Sequence, residues 1–437
     1  MNANAPAGGK CPFLDDAGHL ATDATFTDMR VRDDPWTFYT AMRRDDPVHY
    51  DPQIDMYLVS RYEDLQQVFA DPITFSVKHG YEEHFAKGFE DEFKSIIANE
   101  GGGLFSDCIM SDPPEHTRIR KLLENAFTAH RVKQLEPQIR EIAVEMIESL
   151  ADRGHADAVT EISRPFTIRV ICKQLGFEHI DPNKVTIWSQ AAVAQIGRMQ
   201  DHEEMLTHAH NYCEMQNFVI GLIRERQQAP TEDMISDLVH AKLDDDEKPT
   251  LDFGETVSLA RTLMVGGNDT TGTAVSNLFF ALATRPEIKR ALEDAVDDDR
   301  AMNRFVEEFL RLEPPVQGLS RMTTKEVELG GRLLPEGAHL LLLYPSANTD
   351  ESVFPDARTF DPARPNLGRH VTFGSGTHRC VGLALARMEV KVAAQEAIRR
   401  LDNFRLTVPV EELEFITGVS LRAYANLPIS FTRRKAA

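Results

Sequence analysis

From Asp252 to Arg285 the chain reads as one helix, and that run limits how everything else can be arranged. Asp252 and Glu255 stand in the relation of a capping box. Pro286 closes the pattern, because it cannot continue a helix without strain. Leu259, Leu263, Val275, Leu278, Phe279 and Leu282 recur along it. A helix of this length measures roughly 50 Å, so it must cross the middle of the fold. Its centre is unusual. The segment MVGGNDTTG, Met264 to Gly272, places two glycines, an acid and two threonines inside it. Gly costs about 1 kcal/mol relative to Ala in a helix interior, and Asp and Thr compete for backbone hydrogen bonds. One reading is a tolerated kink. The other is a groove, where Gly266 and Gly267 admit a flat group and Asp269 and Thr270 supply a proton path beside it.

Residues 115 to 315 carry mostly helical patterns, with strand signals at both ends. Pro47 to Ser60 predicts a hairpin turning near Asp51 and Pro52. Val327 to Leu343 gives two apolar runs broken by GG and PEG turns. Asn403 to Phe431 gives short strand-like pieces with a turn at Gly418. The expected class is mainly α with smaller β-sheets (α+β). Strands at both ends of a helical centre predict one interlocked domain over residues 25–435, after a flexible leader at 1–24. Unbroken apolar stretches such as Leu340 to Leu343 are far too short to anchor the chain in a membrane. The N-terminus lacks the apolar region of a secretory signal, so a cytoplasmic protein is expected. A net charge of -21 argues against nucleic acid as a partner. Five scattered cysteines without a CxxC pair argue against zinc-ribbon and thioredoxin-like sites.

One of those cysteines lies in FGSGTHRCVG, Phe373 to Gly382. A P-loop would need a Lys that is missing, and a dinucleotide fingerprint would need a glycine where Arg379 stands. The nucleophile elbow G-x-S-x-G is absent. His378 as a base for a nucleophilic Cys380 is open, though so close a neighbour seldom has the right geometry. A metal thiolate fits better. The Ala-rich helix former after Gly382 puts Cys380 at a helix N-terminus, which favours an anion and lowers a thiol pKa. One thiolate is too few for zinc but enough for haem, whose porphyrin supplies four more ligands.

The pattern F-x-x-G-x-x-x-C-x-G, with Phe373, Gly376, Cys380 and Gly382, resembles the haem loop of the cytochrome P450 family. Glu308 and Arg311 match its E-x-x-R, and Arg364 in FDPARP matches the third member of that group. GGNDTT matches the motif of the oxygen-binding helix. In general layout the chain is similar to soluble bacterial camphor-hydroxylase-like members, and the resemblance spans roughly residues 25–435. It implies haem b between the long helix and the cysteine-loop helix, with Cys380 as axial thiolate. Asp269 and Thr270 would deliver protons to dioxygen. His116, Arg120, Arg321 and His378 would meet the haem propionates, with Gly266, Phe373 and Gly382 against the porphyrin. Glu308, Arg311 and Arg364 would be structural support.

By position, Thr262, Val265, Gly266, Val316, Gln317, Leu319 and Thr417 to Val419 would line an apolar substrate pocket. Lys78 to Phe105 would form a loop-like lid over it. The implied activity is monooxygenation of a small or medium apolar molecule. With no flavin or iron–sulfur segment after the haem domain, electrons would come from NAD(P)H through a separate ferredoxin and its reductase. Arg118, Lys121, Arg369, Arg379 and Arg387 are the candidate docking cations. The alternatives are a peroxide-using peroxygenase on the same fold and a non-enzymatic haem-based ligand-binding protein.

Overall fold

The computed structural model describes residues 13–15, 17–78, 89–126, 129–197, 201–243, 247–416 and 418–435. Its strands are β1 Val48–Asp51, β2 Met56–Val59, β3 Phe75–Ser76, β4 His155–Asp157, β5 Gly318–Thr323, β6 Val327–Leu329, β7 Arg332–Leu334, β8 His339–Leu343, β9 Leu401–Leu406 and β10 Pro428–Arg433. The helices that build the site are α1 Pro35–Asp45, α2 Glu90–Glu100, α3 Glu115–Ala126, α4 Ala129–Ala151, α5 Arg164–Leu175, α6 Pro182–Gly197, α7 His202–Gln228, α8 Phe253–Gly266, α9 Asp269–Thr284, α10 Asp299–Leu312 and α11 Leu383–Arg400. Among the described residues no helix is long and apolar enough to cross a membrane.

The expected hairpin is present, with Val48 paired to Val59. It joins a five-stranded sheet in the order β1-β2-β8-β5-β3. Leu340 to Leu343 lie in β8, between β2 and β5, and are buried because that strand is covered on both faces. Gly330 and Gly331 turn β6 into β7 at φ of 58° and 80°, a left-handed region costly for other residues. β9 and β10 fall in the C-terminal stretch where strand-like pieces are expected; they pair with each other, with β4 added on the other side of β10.

Two sequence expectations about boundaries need correction. The leader does not extend to residue 24: Phe13, Leu20 and Ala24 are buried against Phe38 and Tyr39 of α1. The stretch expected as a loop-like lid contains the helix α2, whose C-terminal carbonyls are capped from α7. There Gln216 donates to the Gly101 and Gly103 carbonyls, and Asn217 to that of Glu100. Residues 79–88 of that stretch lie outside the described ones.

The central helix is the third correction. Its capping box at Asp252 and Glu255 forms, and it ends at Thr284, ahead of Pro286. Between these ends it is two helices, broken at Gly267 and Asn268. The Asn268 amide is held from two sides, donating to Ser189 Oγ at 2.9 Å and accepting from Thr167 Oγ1 at 3.0 Å. Those bonds pull the backbone off the helical path where glycine makes it pliable. The break also separates two cores. Val257, Leu259, Leu263 and Met264 of α8 pack into one cluster with residues of α5, α6 and α7. Val275, Leu278, Phe279 and Leu282 of α9 pack into another with α4, α10 and α11.

Candidate active site

The cysteine loop is shaped by its glycines. Gly374 and Gly376 adopt φ of 65° and 66°, and a Cβ on Gly376 would fall 2.5 Å from the Phe69 carbonyl oxygen. The Cys380 amide donates to the Phe373 carbonyl at 2.8 Å, closing the loop. Arg387 lies over the Phe373 ring, 4.6 Å from its centroid, and pairs with Glu307. α11 starts just beyond, capped at Gly382. Cys108, Cys172 and Cys213 are buried, but Cys380 is exposed.

The helix N-terminus was expected to lower the Cys380 thiol pKa. Instead enclosure by protein raises it, outweighing the Gly382 amide aimed at the sulfur and the charges of Arg120, Arg387 and Arg379. Open surface and strong enclosure together mean that the sulfur faces an internal space, not bulk water. In that setting an anionic sulfur requires a cation on its open side.

Four basic or donor groups gather beside the loop, and among the described residues only Arg120 has a carboxylate partner. His116 and His378 stack with ring centroids 4.0 Å apart. Both His116 nitrogens and His378 Nε2 are buried without a hydrogen-bond partner. Arg321 is buried, and its guanidinium donates to the Ser320 carbonyl. Arg120 donates to the Arg379 carbonyl at 2.6 Å and reaches Glu124 at the surface. Buried orphans of this kind call for an absent partner. Two carboxylates beside a flat macrocycle satisfy them, so these residues fit haem.

The same orphans give a pH prediction for the haem-free protein. Burial, then Arg120, push His116 down to about 4 from an ordinary 6.5. The folded state therefore binds fewer protons than the unfolded chain between those values, and stability is lost as pH falls through that window. Thermal melts of haem-free protein at pH 7, 5.5 and 4.5 are expected to show this fall. His116→Leu should flatten it, yet speed haem loss to apomyoglobin in the loaded protein.

On the other wall stands the helix break. Gly266 is exposed, and a Cβ there would meet nothing within 4 Å. Thr270 Oγ1 donates to the Gly266 carbonyl at 2.8 Å. Asp269 points elsewhere. It borders a cavity of 510 Å³ with Arg164, His208, Gly272, Ser420 and Leu421. Burial pushes its carboxyl up to about 6, against the pull of Arg164. Arg164 and Asn268 belong to this machinery and were not singled out from the sequence. The N of GGNDTT was a visible signal for Asn268, whereas Arg164 carried none.

Glu308 and Arg311 are completely buried, which rules out a surface ion pair. Arg311 binds the Glu308 carboxylate twice, at 2.7 and 2.8 Å, and the Asn348 carbonyl at 2.7 Å. Arg364 approaches the same carboxylate at 3.5 Å. The group ties α10 to the segment leading to the cysteine loop.

The pocket and docking expectations divide. Thr262 and Val265 are half-buried on α8, and Val316 and Leu319 keep partial exposure. Gln317 and Val419 are drawn to the α1 side instead. Gln317 accepts from the Tyr39 hydroxyl at 2.7 Å, Val419 packs with Phe38 and Tyr39, and both border a separate recess of 200 Å³. Thr417 lies outside the described residues. Among the docking cations, Arg118 is engaged by Glu255 and Arg387 by Glu307, so neither is a free surface charge. Lys121, Arg369 and Arg379 remain exposed.

Comparison with known proteins agrees with this geometry. The sequence profile described as Cytochrome P450 matches residues 53–421. "Cytochrome P450 130" of Mycobacterium tuberculosis is 35% identical over 408 residues, covering 91% of this chain and 95% of its own. The "Mycinamicin IV hydroxylase/epoxidase" of Micromonospora griseorubida is 34% identical over 384 residues, covering 86% and 89%. Among solved structures, cytochrome P450 CYP109Q5 from Chondromyces apiculatus superposes with a TM-score of 0.81 at 30% identity, covering 95% of this chain and 100% of its own.

Proposed function

Because the chain belongs to the cytochrome P450 family of haem b monooxygenases, we propose that it hydroxylates or O-dealkylates a small or medium, mainly apolar molecule, with electrons from NAD(P)H delivered by a separate ferredoxin and its reductase. The observation that carries the reading is Cys380: one thiol open to an internal space, beside buried imidazoles of His116 and His378 that lack hydrogen-bond partners. Bound there, haem supplies dioxygen activation and oxygen insertion into a C–H bond.

The chain's own part is binding, orientation and proton supply. Cys380 Sγ holds the iron. His116, Arg120, Arg321 and His378 hold the two propionates. Thr270 Oγ1 presents a hydroxyl at the break, where the Gly266 carbonyl orients it. Asp269, with a carboxyl near 6, takes up a proton from the side cavity and releases it towards that hydroxyl. Glu308, Arg311 and Arg364 keep the cysteine loop in place.

The test is reconstitution. Product formation with ferredoxin, reductase, NADH and dioxygen supports the reading. Product with peroxide alone, or spectral binding without turnover, contradicts it. Asp269→Asn is expected to lower turnover by about 10²-fold and to enlarge the solvent isotope effect, measured as rates in H₂O and D₂O.

A further inference from the structure

Cys380 and Asp107 share an unusual property: each keeps open surface although protein encloses it. Asp107 stands just before the 3-10 turn Cys108–Met110. Its Oδ1 accepts from the Ile109 amide at 3.3 Å and the Ser258 hydroxyl at 3.4 Å, both long, and Thr262 is within hydrogen-bonding reach. Arg261 acts on it only from a distance, since that guanidinium is engaged by Gln216 and the Phe105 carbonyl. Enclosure raises the Asp107 carboxyl pKa against the pull of Arg261. Asp107 is thus an acceptor with spare capacity, facing the interior.

Its place relative to the reaction follows from helical spacing. Ser258, Thr262, Gly266 and Thr270 recur every four residues and share one side of the broken helix. Asp107 sits over the Ser258–Thr262 end, and Thr270 marks the other. Thr262 lies on α8 before the break and Thr270 on α9 after it, so the two hydroxyls mark opposite ends of the same stretch. We propose that Asp107 is a specificity-determining residue that accepts a hydrogen bond from a hydroxyl or ammonium group of the substrate. The inference rests on the haem-thiolate reading and narrows its substrate class. The substrate has an apolar body and one hydrogen-bond donor, held at the α8 end, away from the carbon that is oxidised beside Thr270.

The probes are 1-dodecanol and its methyl ether, which match in apolar length but differ in the donor. Each is titrated into haem-loaded protein, and binding is read from the spin-state shift of the Soret band. Wild type is expected to bind the alcohol about tenfold more tightly or better, equivalent to roughly 1.4 kcal/mol. Asp107→Ala should erase that preference. Asp107→Asn, which preserves the cap on Ile109, should fall between. Equal binding, no binding of either probe, or a preference surviving in Asp107→Ala would overturn the proposal. The thiolate-type band of the reduced carbon monoxide complex is recorded on every sample. Where it is present, failure counts against Asp107 alone; if wild type lacks it, the haem-thiolate reading fails as well.

Discussion

Cys380→Ala is expected to abolish monooxygenase turnover and to remove the thiolate-type Soret band of the reduced carbon monoxide complex. Among the described residues no other cysteine can substitute. Cys108, Cys172 and Cys213 are buried among other core residues, and burial pushes the Cys108 and Cys172 thiols up to about 12. The fold should survive, because Cys380 makes its loop-closing bond through its backbone amide, which alanine retains. The measurement pairs the carbon monoxide difference spectrum with far-UV circular dichroism and product analysis. A folded variant that kept the band would show that the ligand is elsewhere.

Glu308→Ala is expected to act through folding. The carboxylate receives both guanidinium contacts of Arg311, the approach of Arg364 and the Asp361 amide at 2.9 Å. Removing it leaves two buried guanidinium groups facing each other without an anion. Breaking a buried pair on one side costs about 3–5 kcal/mol, a large share of the roughly 5–15 kcal/mol that holds a typical protein folded. The variant should be recovered as haem-poor or aggregated protein, with any soluble fraction melting many degrees lower. Glu308→Gln should be intermediate, since its amide oxygen still accepts. Denaturant melts and the haem-to-protein absorbance ratio check both variants. An alanine variant with wild-type stability would show that the cluster is dispensable.

What could be read without the structure was local in character. The cysteine loop announced itself because its glycines are demanded by the loop's own backbone, at Gly374 and Gly376. The hairpin at Pro47 to Ser60 and the capping box at Asp252 are decided within a few residues. The E-x-x-R group was legible as a motif, and its burial with Arg364 followed from the resemblance and not from the residues alone. The readings that failed depend on distant partners. The central helix breaks because Thr167 and Ser189 hold Asn268. Gln317 turns from the expected pocket because Tyr39, 278 positions earlier, takes its side chain. The Cys380 thiol pKa rises because enclosure outweighs local dipoles and charges, and enclosure is a property of the whole fold.

The break at Gly267 and Asn268 also divides the molecule's capacity for change. α8 is anchored in one hydrophobic cluster and α9 in another. A substitution that alters volume among α6, α7 and α8 falls within the α8 cluster, whereas α5 bridges the seam, with Ile168 and Ile171 on one side and Phe166 and Val170 on the other. Selection can therefore remodel the α8 side while leaving the α4, α10 and α11 packing in place; Val381, beside Cys380, is the point where the α8 cluster touches the cysteine loop. Laboratory libraries confined to the α8 cluster should shift what the protein accepts far more readily than they eliminate its ability to hold haem.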